Sequence, residues 1–278
     1  MPAPYRRRSS PSPRPRAKHP RVDRHRLYED AVQSADAELD VVERVLRRAG
    51  RPARALREDF CGTALLAATW VGRGPRRVAA AVDLDAGVLA WARRHRLPAL
   101  GAAAGRLALR QADVRRGPRG PFDAILALNF SWQVFTTRAA LRGYLASARR
   151  ALRPGGALVL DAFGGWEALR PLREKRPLGG GAFYEWEQVS FDPITHRLRC
   201  AIHFRLPGGR RLDRAFAYDW RLWSLPEITE LMAEAGLTAV EVLWDPTPEG
   251  AEPAYRPRRS AESQAGWLAY VVGRRPRG

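Results

Sequence analysis

The sequence predicts an α/β fold: a largely parallel β-sheet covered by helices on both faces, with a small antiparallel unit inserted after its fifth strand. Between residues 54 and 162, short apolar runs alternate with segments of helical periodicity, which is typical of right-handed βαβ units. After Gly165 apolar and polar residues alternate, which is typical of antiparallel strands. The chain has 278 residues, 45% of them hydrophobic, and can bury a full core.

The N-terminal part divides into a tail and a helical segment. Residues 1–22 are rich in Pro, Ser and Arg and contain almost nothing to bury, so we predict a disordered tail followed by one domain over 23–278. From His25 to Arg48, apolar residues recur at helical spacing, and Gly50 ends this segment.

The central region supplies the strands and helices of the main sheet. Parallel strands that are covered on both faces appear in a sequence as nearly continuous apolar runs, and helices appear as segments of period 3.6. The predicted strands are 54–60, 77–83, 107–112, 123–129 and 156–162, and the predicted helices are 63–72, 86–95 and 137–152.

The C-terminal part contains the inserted unit and the end of the main sheet. Residues 183–220 alternate apolar and polar side chains and are interrupted by the turn sequences "DPIT" and "PGGR", which favours an antiparallel meander. We assign 163–222 as an inserted cap over the site. A helix at 226–236 and strands near 238–244 and 267–273 follow.

Composition excludes several classes of protein. No segment approaches 18 consecutive apolar residues and the mean hydropathy is −0.38, so we expect no membrane span. Two cysteines, Cys61 and Cys200, are too few for a disulfide framework or a four-cysteine zinc site. The five histidines show no H-E-x-x-H spacing, so we expect no structural metal. The N-terminus lacks the apolar core of a signal peptide, which favours a cytoplasmic protein.

The net charge of +19 raises the question of a nucleic-acid partner. Residues 1–26 hold nine Lys and Arg against one Asp, and the rest of the excess is spread over the chain without a dense basic block. A nucleic-acid partner therefore stays open but is not favoured.

A polar residue closes each of the first four predicted strands. Glu58 and Asp59 end the first strand, and Asp83, Asp113 and Asn129 end the next three. In an open α/β sheet, ligands bind beyond the carboxyl ends of the strands, so we expect these side chains around one site.

The residues around Gly62 indicate the kind of ligand. Gly62 permits close approach of the backbone, and the helix that follows offers free N–H groups. Asp83, about twenty residues further on, suits a ribose diol. A nicotinamide enzyme would have glycines at 60, 62 and 65, whereas the chain has Phe60 and Leu65 at two of these positions.

Six stretches of the sequence resemble the class I S-adenosylmethionine-dependent methyltransferases, and the resemblance extends over residues 25–275. The stretches are "EDFCGTA", "AAVDLDAGVLAWAR", "QADV", "FDAILALNFSW", "LRPGGALVLDAF" and "LPEITELMAEAGLTAVEV". The resemblance implies a Rossmann-like sheet of seven mostly parallel strands, the last of them antiparallel, with S-adenosylmethionine as the cofactor. It places Asp83 at the ribose and Asp113 at the adenine amino group. The implied cofactor-binding residues are Glu58, Cys61, Gly62, Thr63, Asp83, Leu84, Asp113, Val114 and Asn129.

Two residues depart from the glycine motif of that family. Phe60 stands where the first glycine is usual, and Ala64 stands at the third. The register of the motif leaves two candidates for its acidic ligand, Glu58 and Asp59. A chain that keeps the fold but has lost the cofactor therefore stays open as an alternative.

The resemblance implies methyl transfer, for which we expect a small-molecule acceptor. The cofactor carries the reactive group, so no dedicated catalytic acid or base is assigned. Substrate candidates are Tyr28, Tyr218 and Arg221, with packing, or pairing of Arg221 with Asp219, as the alternative. Methylation of RNA or DNA is the rival activity, but "NFSW" lacks both prolines of the [D/N]-P-P-[aromatic] motif of adenine amino-group methyltransferases.

Overall fold

The computed structural model describes residues 22–51, 53–247 and 253–277. The predicted tail lies outside the described residues, apart from Val22. The described strands form two sheets, one of eight strands and one of four. None of the helices within these ranges is long and apolar enough to cross a membrane.

The N-terminal segment forms two helices, α1 (Arg24–Val32) and α2 (Ala35–Arg48), where the sequence predicted one. Helix α1 begins at Asp23, whose side chain accepts hydrogen bonds from the backbone of His25 and Arg26. It ends because Gln33 has an extended backbone (φ −96°, ψ 132°). The apolar periodicity of the sequence does not reveal such a break, because the apolar residues on either side of it keep helical spacing.

The main sheet contains five parallel strands in the order expected for βαβ units. Their bounds are β1 Ala55–Asp59, β2 Val78–Asp83, β3 Leu107–Gln111, β4 Phe122–Ala127 and β5 Leu152–Gly164. The intervening helices are α3 Leu65–Gly72, α4 Ala86–Ala99 and α5 Arg138–Ala151. The prediction of a mostly parallel sheet with helices on both faces is confirmed.

The chain returns to this sheet after the cap. It forms α6 (Leu225–Glu234), β10 (Thr238–Trp244), β11 (Arg256–Arg258) and β12 (Trp267–Arg274). The strand order is β11-β10-β12-β5-β4-β1-β2-β3, and β12 is antiparallel to both of its neighbours. The sheet therefore has eight strands instead of the predicted seven. The additional strand is the three-residue edge strand β11, which is too short to produce a periodic signal.

The cap is a separate antiparallel sheet of four strands: β6 (Leu172–Gly179), β7 (Ala182–Asp192), β8 (Arg197–Leu206) and β9 (Arg210–Arg221). The sequence did not predict β6, whose "LREKRPLG" is largely exposed and has no apolar alternation. Helix α1 packs on this sheet, with Ala31 against the buried Ile202 and Phe204 of β8. Through α1 the cap is connected to the edge of the main sheet where β1 to β4 end.

Two buried clusters hold the main sheet between its helices. On one face Leu39, Val42 and Leu46 of α2 pack with Trp70 of α3 and Leu56 of β1. The other face is covered by α5 and α6. Burial of aliphatic and aromatic side chains of this size stabilises the fold by about 1.5–3 kcal/mol each.

Candidate active site

The turn between β1 and α3 keeps the backbone conformation of a glycine-rich loop with only one glycine. Phe60, Gly62 and Ala64 all have left-handed backbones, with φ of 56°, 51° and 57°. For residues with a Cβ this conformation costs roughly 1–2 kcal/mol each. The two departures from the glycine motif therefore add strain to the turn while preserving its path.

Packing and hydrogen bonds hold this strained turn. The ring of Phe60 makes edge contacts with the rings of Phe135 and Tyr144, at centroid distances of 5.9 and 6.0 Å. The Cys61 N–H donates to the carbonyl of Val82 at 2.9 Å, and the Ala64 N–H donates to the carbonyl of Cys61 at 2.7 Å. The aromatic side chain at position 60 thus replaces the flexibility of glycine with anchoring contacts.

Asp83, at the end of β2, ties this turn to the start of α4. One oxygen of its carboxylate accepts from the Gly62 N–H at 2.8 Å, and the other accepts from the Asp85 N–H at 2.9 Å. Asp85 in turn caps α4. The carboxylate is only partly buried, so each oxygen can accept a further hydrogen bond from a ligand.

A cavity of about 300 Å³ opens beside this turn. We call it the cofactor cavity. The predicted residues Cys61, Gly62, Thr63, Asp83 and Asn129 line it.

Two polar atoms on the residues around this cavity lack a partner. The hydroxyl of Thr63 and the side-chain carbonyl of Gln33 are buried without a hydrogen bond. Buried polar groups normally have partners, so these atoms fit a polar ligand such as the amino-acid part of S-adenosylmethionine. The break between α1 and α2 brings Gln33 here, and no pattern in the sequence indicated it.

Four other predicted cofactor residues do not line the cofactor cavity. Glu58 is buried under the turn, where it accepts from the Ala67 N–H at 2.8 Å, and burial raises its pKa to about 8. Asp113 binds the Arg115 guanidinium through both oxygens, which holds the pKa of that carboxyl below its usual value. Val114 is buried in the core, and Leu84 is 71% exposed.

Asp59, the second candidate for the acidic ligand, faces the opposite side of the sheet. Its carboxylate pairs with Arg57 at 2.7 Å and accepts from the Tyr144 hydroxyl at 2.9 Å. Alternate residues of a strand point to opposite faces, and here both faces are covered. The structure therefore brings neither Glu58 nor Asp59 to the surface of the cofactor cavity.

A second cavity, of about 700 Å³, lies between the cap and the main sheet. We call it the acceptor cavity. Aromatic rings dominate its lining: those of Tyr28, Phe130, Phe163, Tyr184, Trp186, Tyr218, Trp220 and Trp267. Tyr218 and Trp220 are stacked at 4.3 Å between centroids, and the Trp186 ring lies 6.2 Å from each of them. The charged residues of the same lining balance, with Glu167 and Glu174 against Lys175 and Arg176.

The two cavities meet at a junction formed by Tyr28, Asn129, Tyr218 and Trp220, which line both. Tyr28 and Tyr218 both present their rings to this junction, and burial raises the pKa of both hydroxyls. Both phenols therefore stay protonated at neutral pH. They can orient a ligand by hydrogen bonding, but they cannot act as strong bases.

Asp161 of β5 positions the main-sheet side of this junction. Asn129 and Phe130 have left-handed backbones, with φ of 57° and 56°. The Asp161 carboxyl accepts from the Phe130 N–H at 3.0 Å, and its carbonyl accepts from the Trp132 indole at 2.8 Å. Burial raises the pKa of Asp161 to about 8. The sequence analysis did not single out Asp161, although a carboxylate within the apolar run "LVLDAF" was a signal for it.

The substrate candidates separate into two groups. Tyr28 and Tyr218 line the junction, and their contact with a substrate stays a prediction. Arg221 lines neither cavity: it pairs with Glu227 at 2.7 Å, and its guanidinium stacks on the Trp223 ring at 3.8 Å. The proposed pairing of Arg221 with Asp219 is also wrong, because Asp219 pairs with Arg197.

Part of the chain is similar to a known family of protein domains. Residues 60–156 match the family model described as "Methyltransferase domain". No curated protein sequence matches the chain.

Solved structures share the fold. An S-adenosylmethionine-dependent methyltransferase from Clostridium acetobutylicum ATCC 824 has 16% identity and a TM-score of 0.68, covering 90% of this chain and 97% of its own. The amino pentose methyltransferase CalS10 from Micromonospora echinaspora has 22% identity and a TM-score of 0.64, covering 90% and 95%. The sugar N-methyltransferase KedS8 from Streptoalloteichus sp ATCC 53650 has the same identity and TM-score, covering 97% and 99%.

The chain therefore shares the fold of S-adenosylmethionine-dependent methyltransferases, and residues 60–156 of it match a methyltransferase domain. The match to this domain is what indicates the class of enzyme.

Proposed function

We propose that the protein transfers a methyl group from S-adenosylmethionine to an amino group of a small molecule held in the acceptor cavity. The observation that carries this proposal is the continuity of the two cavities, which share Tyr28, Asn129, Tyr218 and Trp220. A cofactor in the smaller cavity and an acceptor in the larger one would meet at that junction.

The size and the enclosure of the acceptor cavity favour a small molecule. Its volume of about 700 Å³ lies within the range of roughly 300–1,000 Å³ that is usual for small-molecule sites. Strands β6 to β9 of the cap form one wall and β5 with β12 form the other. A nucleic acid would require an open groove, which argues against methylation of RNA or DNA.

The aromatic lining favours an amine. Faces of Trp and Tyr attract a cation placed within about 6 Å of the ring centroid. The positive charge that develops on an amine nitrogen as it is methylated, and that the ammonium product carries, would find such faces on Trp186, Tyr218 and Trp220. CalS10 is an amino pentose methyltransferase and KedS8 is a sugar N-methyltransferase, which is consistent with the same kind of acceptor here.

The residues around the cofactor cavity suit S-adenosylmethionine. Asp83 would hold the ribose hydroxyls, and Thr63 and Gln33 would receive the polar groups of the amino-acid part. When bound, the cofactor supplies a methyl group that its sulfonium has already activated. The unpartnered atoms of Thr63 and Gln33 argue against a chain that has lost its cofactor site.

The protein's own contribution is orientation and exclusion of water. Holding two reactants in line can supply on the order of 7–11 kcal/mol of the barrier. Because Tyr28 and Tyr218 remain protonated, the amine must reach the junction neutral, having released any proton to solvent. We assign the two hydroxyl oxygens to accepting hydrogen bonds from its N–H groups, which leaves its lone pair free to attack the methyl group. Asp161 acts through the backbone of Phe130 and is a positioning residue.

The decisive experiment compares amino sugars with their hydroxyl counterparts as acceptors, using release of S-adenosylhomocysteine as the readout. Turnover should depend on the amino group. In the variant Trp186→Ala we expect the KM for the amine to rise by about tenfold, because roughly 1–2 kcal/mol of cation–π attraction is lost. Trp186 lines only the acceptor cavity, so the affinity for S-adenosylhomocysteine should not change.

The matched control is Trp166→Ala. Trp166 is 55% exposed and lines neither cavity. Its removal should leave both KM and cofactor affinity unchanged. Methylation of the hydroxyl compounds in preference to the amines would refute the proposed acceptor. Equal effects of the two tryptophan variants would refute the role of the aromatic cavity.

A further inference from the structure

A third cavity, of about 790 Å³, lies on the flank of the main sheet that carries α5. We call it the arginine cavity. Residues 115–119, which follow β3, form one wall, and residues 147–151 at the end of α5 form another. Arg57 of β1 and Arg275 near the end of the chain complete it. No residue of this lining belongs to the cofactor cavity or to the acceptor cavity.

The charge of this cavity is positive and largely unbalanced. Seven arginines line it, together with Ser147, Gly117, Pro118 and Ala151, and none of these residues is acidic. Within the described ranges, five of the arginines have no carboxylate within 4.0 Å, namely Arg116, Arg119, Arg149, Arg150 and Arg275. The carbonyl end of α5 offsets only part of this charge.

Two buried N–H groups of the cavity residues lack an acceptor. Arg57 is 1% exposed, and its terminal nitrogens bind Asp59 at 2.7 Å and the carbonyl of Pro118 at 3.1 Å, but its Nε–H has no partner. The Nε–H of Arg149 is also buried without a partner. Arginine has donors only, so each of these groups calls for a ligand that accepts hydrogen bonds.

We infer that the arginine cavity binds a small molecule carrying two or more phosphate groups. The planar guanidinium matches the oxygens of a phosphate in pairs, and arginine is favoured wherever that geometry is needed. Arginines lie on opposite walls of the cavity, and one phosphate group could not contact all of them. The volume lies within the range that is usual for small-molecule sites. The concave shape, with the buried Arg57 in its lining, favours a compact ligand over a nucleic-acid backbone lying on the surface.

The test is calorimetric titration of the full chain with inorganic pyrophosphate and with inorganic phosphate, at constant ionic strength. We expect saturable binding of about one pyrophosphate per chain, tighter than that of phosphate. In the double variant Arg119→Gln and Arg150→Gln, both of which alter exposed side chains, pyrophosphate affinity should fall by about tenfold or more.

The matched control is the double variant Arg94→Gln and Arg142→Gln. It removes the same charge from exposed positions outside the cavity, and Arg142 is on the same helix as Arg150. The control should bind pyrophosphate like the parent protein, and both double variants should keep their affinity for S-adenosylhomocysteine. An equal loss in the control would show a nonspecific charge effect and overturn the inference. Binding of a single-stranded RNA oligonucleotide that pyrophosphate does not displace, or no saturable binding at all, would overturn it as well.

Discussion

The replacement Asp83→Ala tests the core of the cofactor assignment. Asp83 has two tasks: its carboxylate accepts from the Gly62 and Asp85 N–H groups, and its remaining acceptor capacity faces the cofactor cavity. The alanine variant removes both tasks. Asp83→Asn retains one oxygen as an acceptor and replaces the other by an NH2 donor. Its cofactor affinity should therefore lie between those of the parent protein and the alanine variant.

The magnitudes follow from the hydrogen bonds that are lost. A hydrogen bond to a charged group contributes about 1.5–3 kcal/mol, so loss of one ribose contact lowers cofactor affinity roughly 10- to 100-fold. Loss of the two backbone contacts of this partly exposed carboxylate should lower the free energy of unfolding by about 1–3 kcal/mol. For a chain of this size that corresponds to a fall in Tm of roughly 2–4 °C per kcal/mol.

The assay is calorimetric titration with S-adenosylhomocysteine, combined with thermal unfolding of each variant. Asp123→Ala is the matched control, because Asp123 also accepts from two backbone amides, those of Arg54 and Ala55, but does not line the cofactor cavity. It should lower Tm without changing affinity. Unchanged affinity in Asp83→Ala, or an equal loss of affinity in the Asp123 variant, would refute the assignment of Asp83 to the ribose.

Two further predictions concern buried acids. Burial raises the pKa of Glu38 to about 7 from 4.5, so the folded state holds this proton more tightly, and stability falls as pH rises from about 5 to 7. Glu38→Gln should remove up to about 3 kcal/mol of this pH-dependent loss in the free energy of unfolding, which urea unfolding at several pH values measures. An unchanged dependence of stability on pH would contradict the raised pKa of Glu38. For Asp161, whose pKa is about 8, Asp161→Asn should behave nearly like the parent at pH 7 because both side chains are neutral there. Asp161→Ala leaves the Phe130 N–H unpaired and should lower the free energy of unfolding by about 1–3 kcal/mol, measured in the same way; equal stability of the two variants would contradict this.

The local pattern of the sequence was sufficient for the main sheet. Apolar runs of strand length and amphipathic helices repeat in β1 to β5, and each element buries its own apolar residues, so the pattern can be read without knowing its neighbours. The same reasoning missed β6 and β11, because the first is largely exposed and the second has only three residues. It also joined α1 and α2, because a break at Gln33 leaves the spacing of apolar residues intact.

The site was predictable in its location but not in its contacts. The rule that ligands bind beyond the carboxyl ends of the strands predicted Asp83 and Asn129, and both residues line the cofactor cavity. It did not predict that Glu58 binds the backbone of α3 or that Asp113 pairs with Arg115. A strand end determines where a carboxylate is placed, whereas its partner depends on the path of the turn that follows: Arg115 is two residues after Asp113, and Ala67 is nine residues after Glu58.

The sequence by itself therefore determined the α/β class, the cofactor turn around Gly62 and the antiparallel cap, since these depend on short-range periodicity and spacing. Only the tertiary structure decided that Gln33 and Asp161 belong to the site, and that Arg57, Arg119 and Arg150 share one cavity. These side chains belong to segments that no common sequence motif links. Their proximity exists only because β1, α5 and the helix pair at the N-terminus pack around the same sheet, and burial then determines which polar atoms are left to meet a ligand.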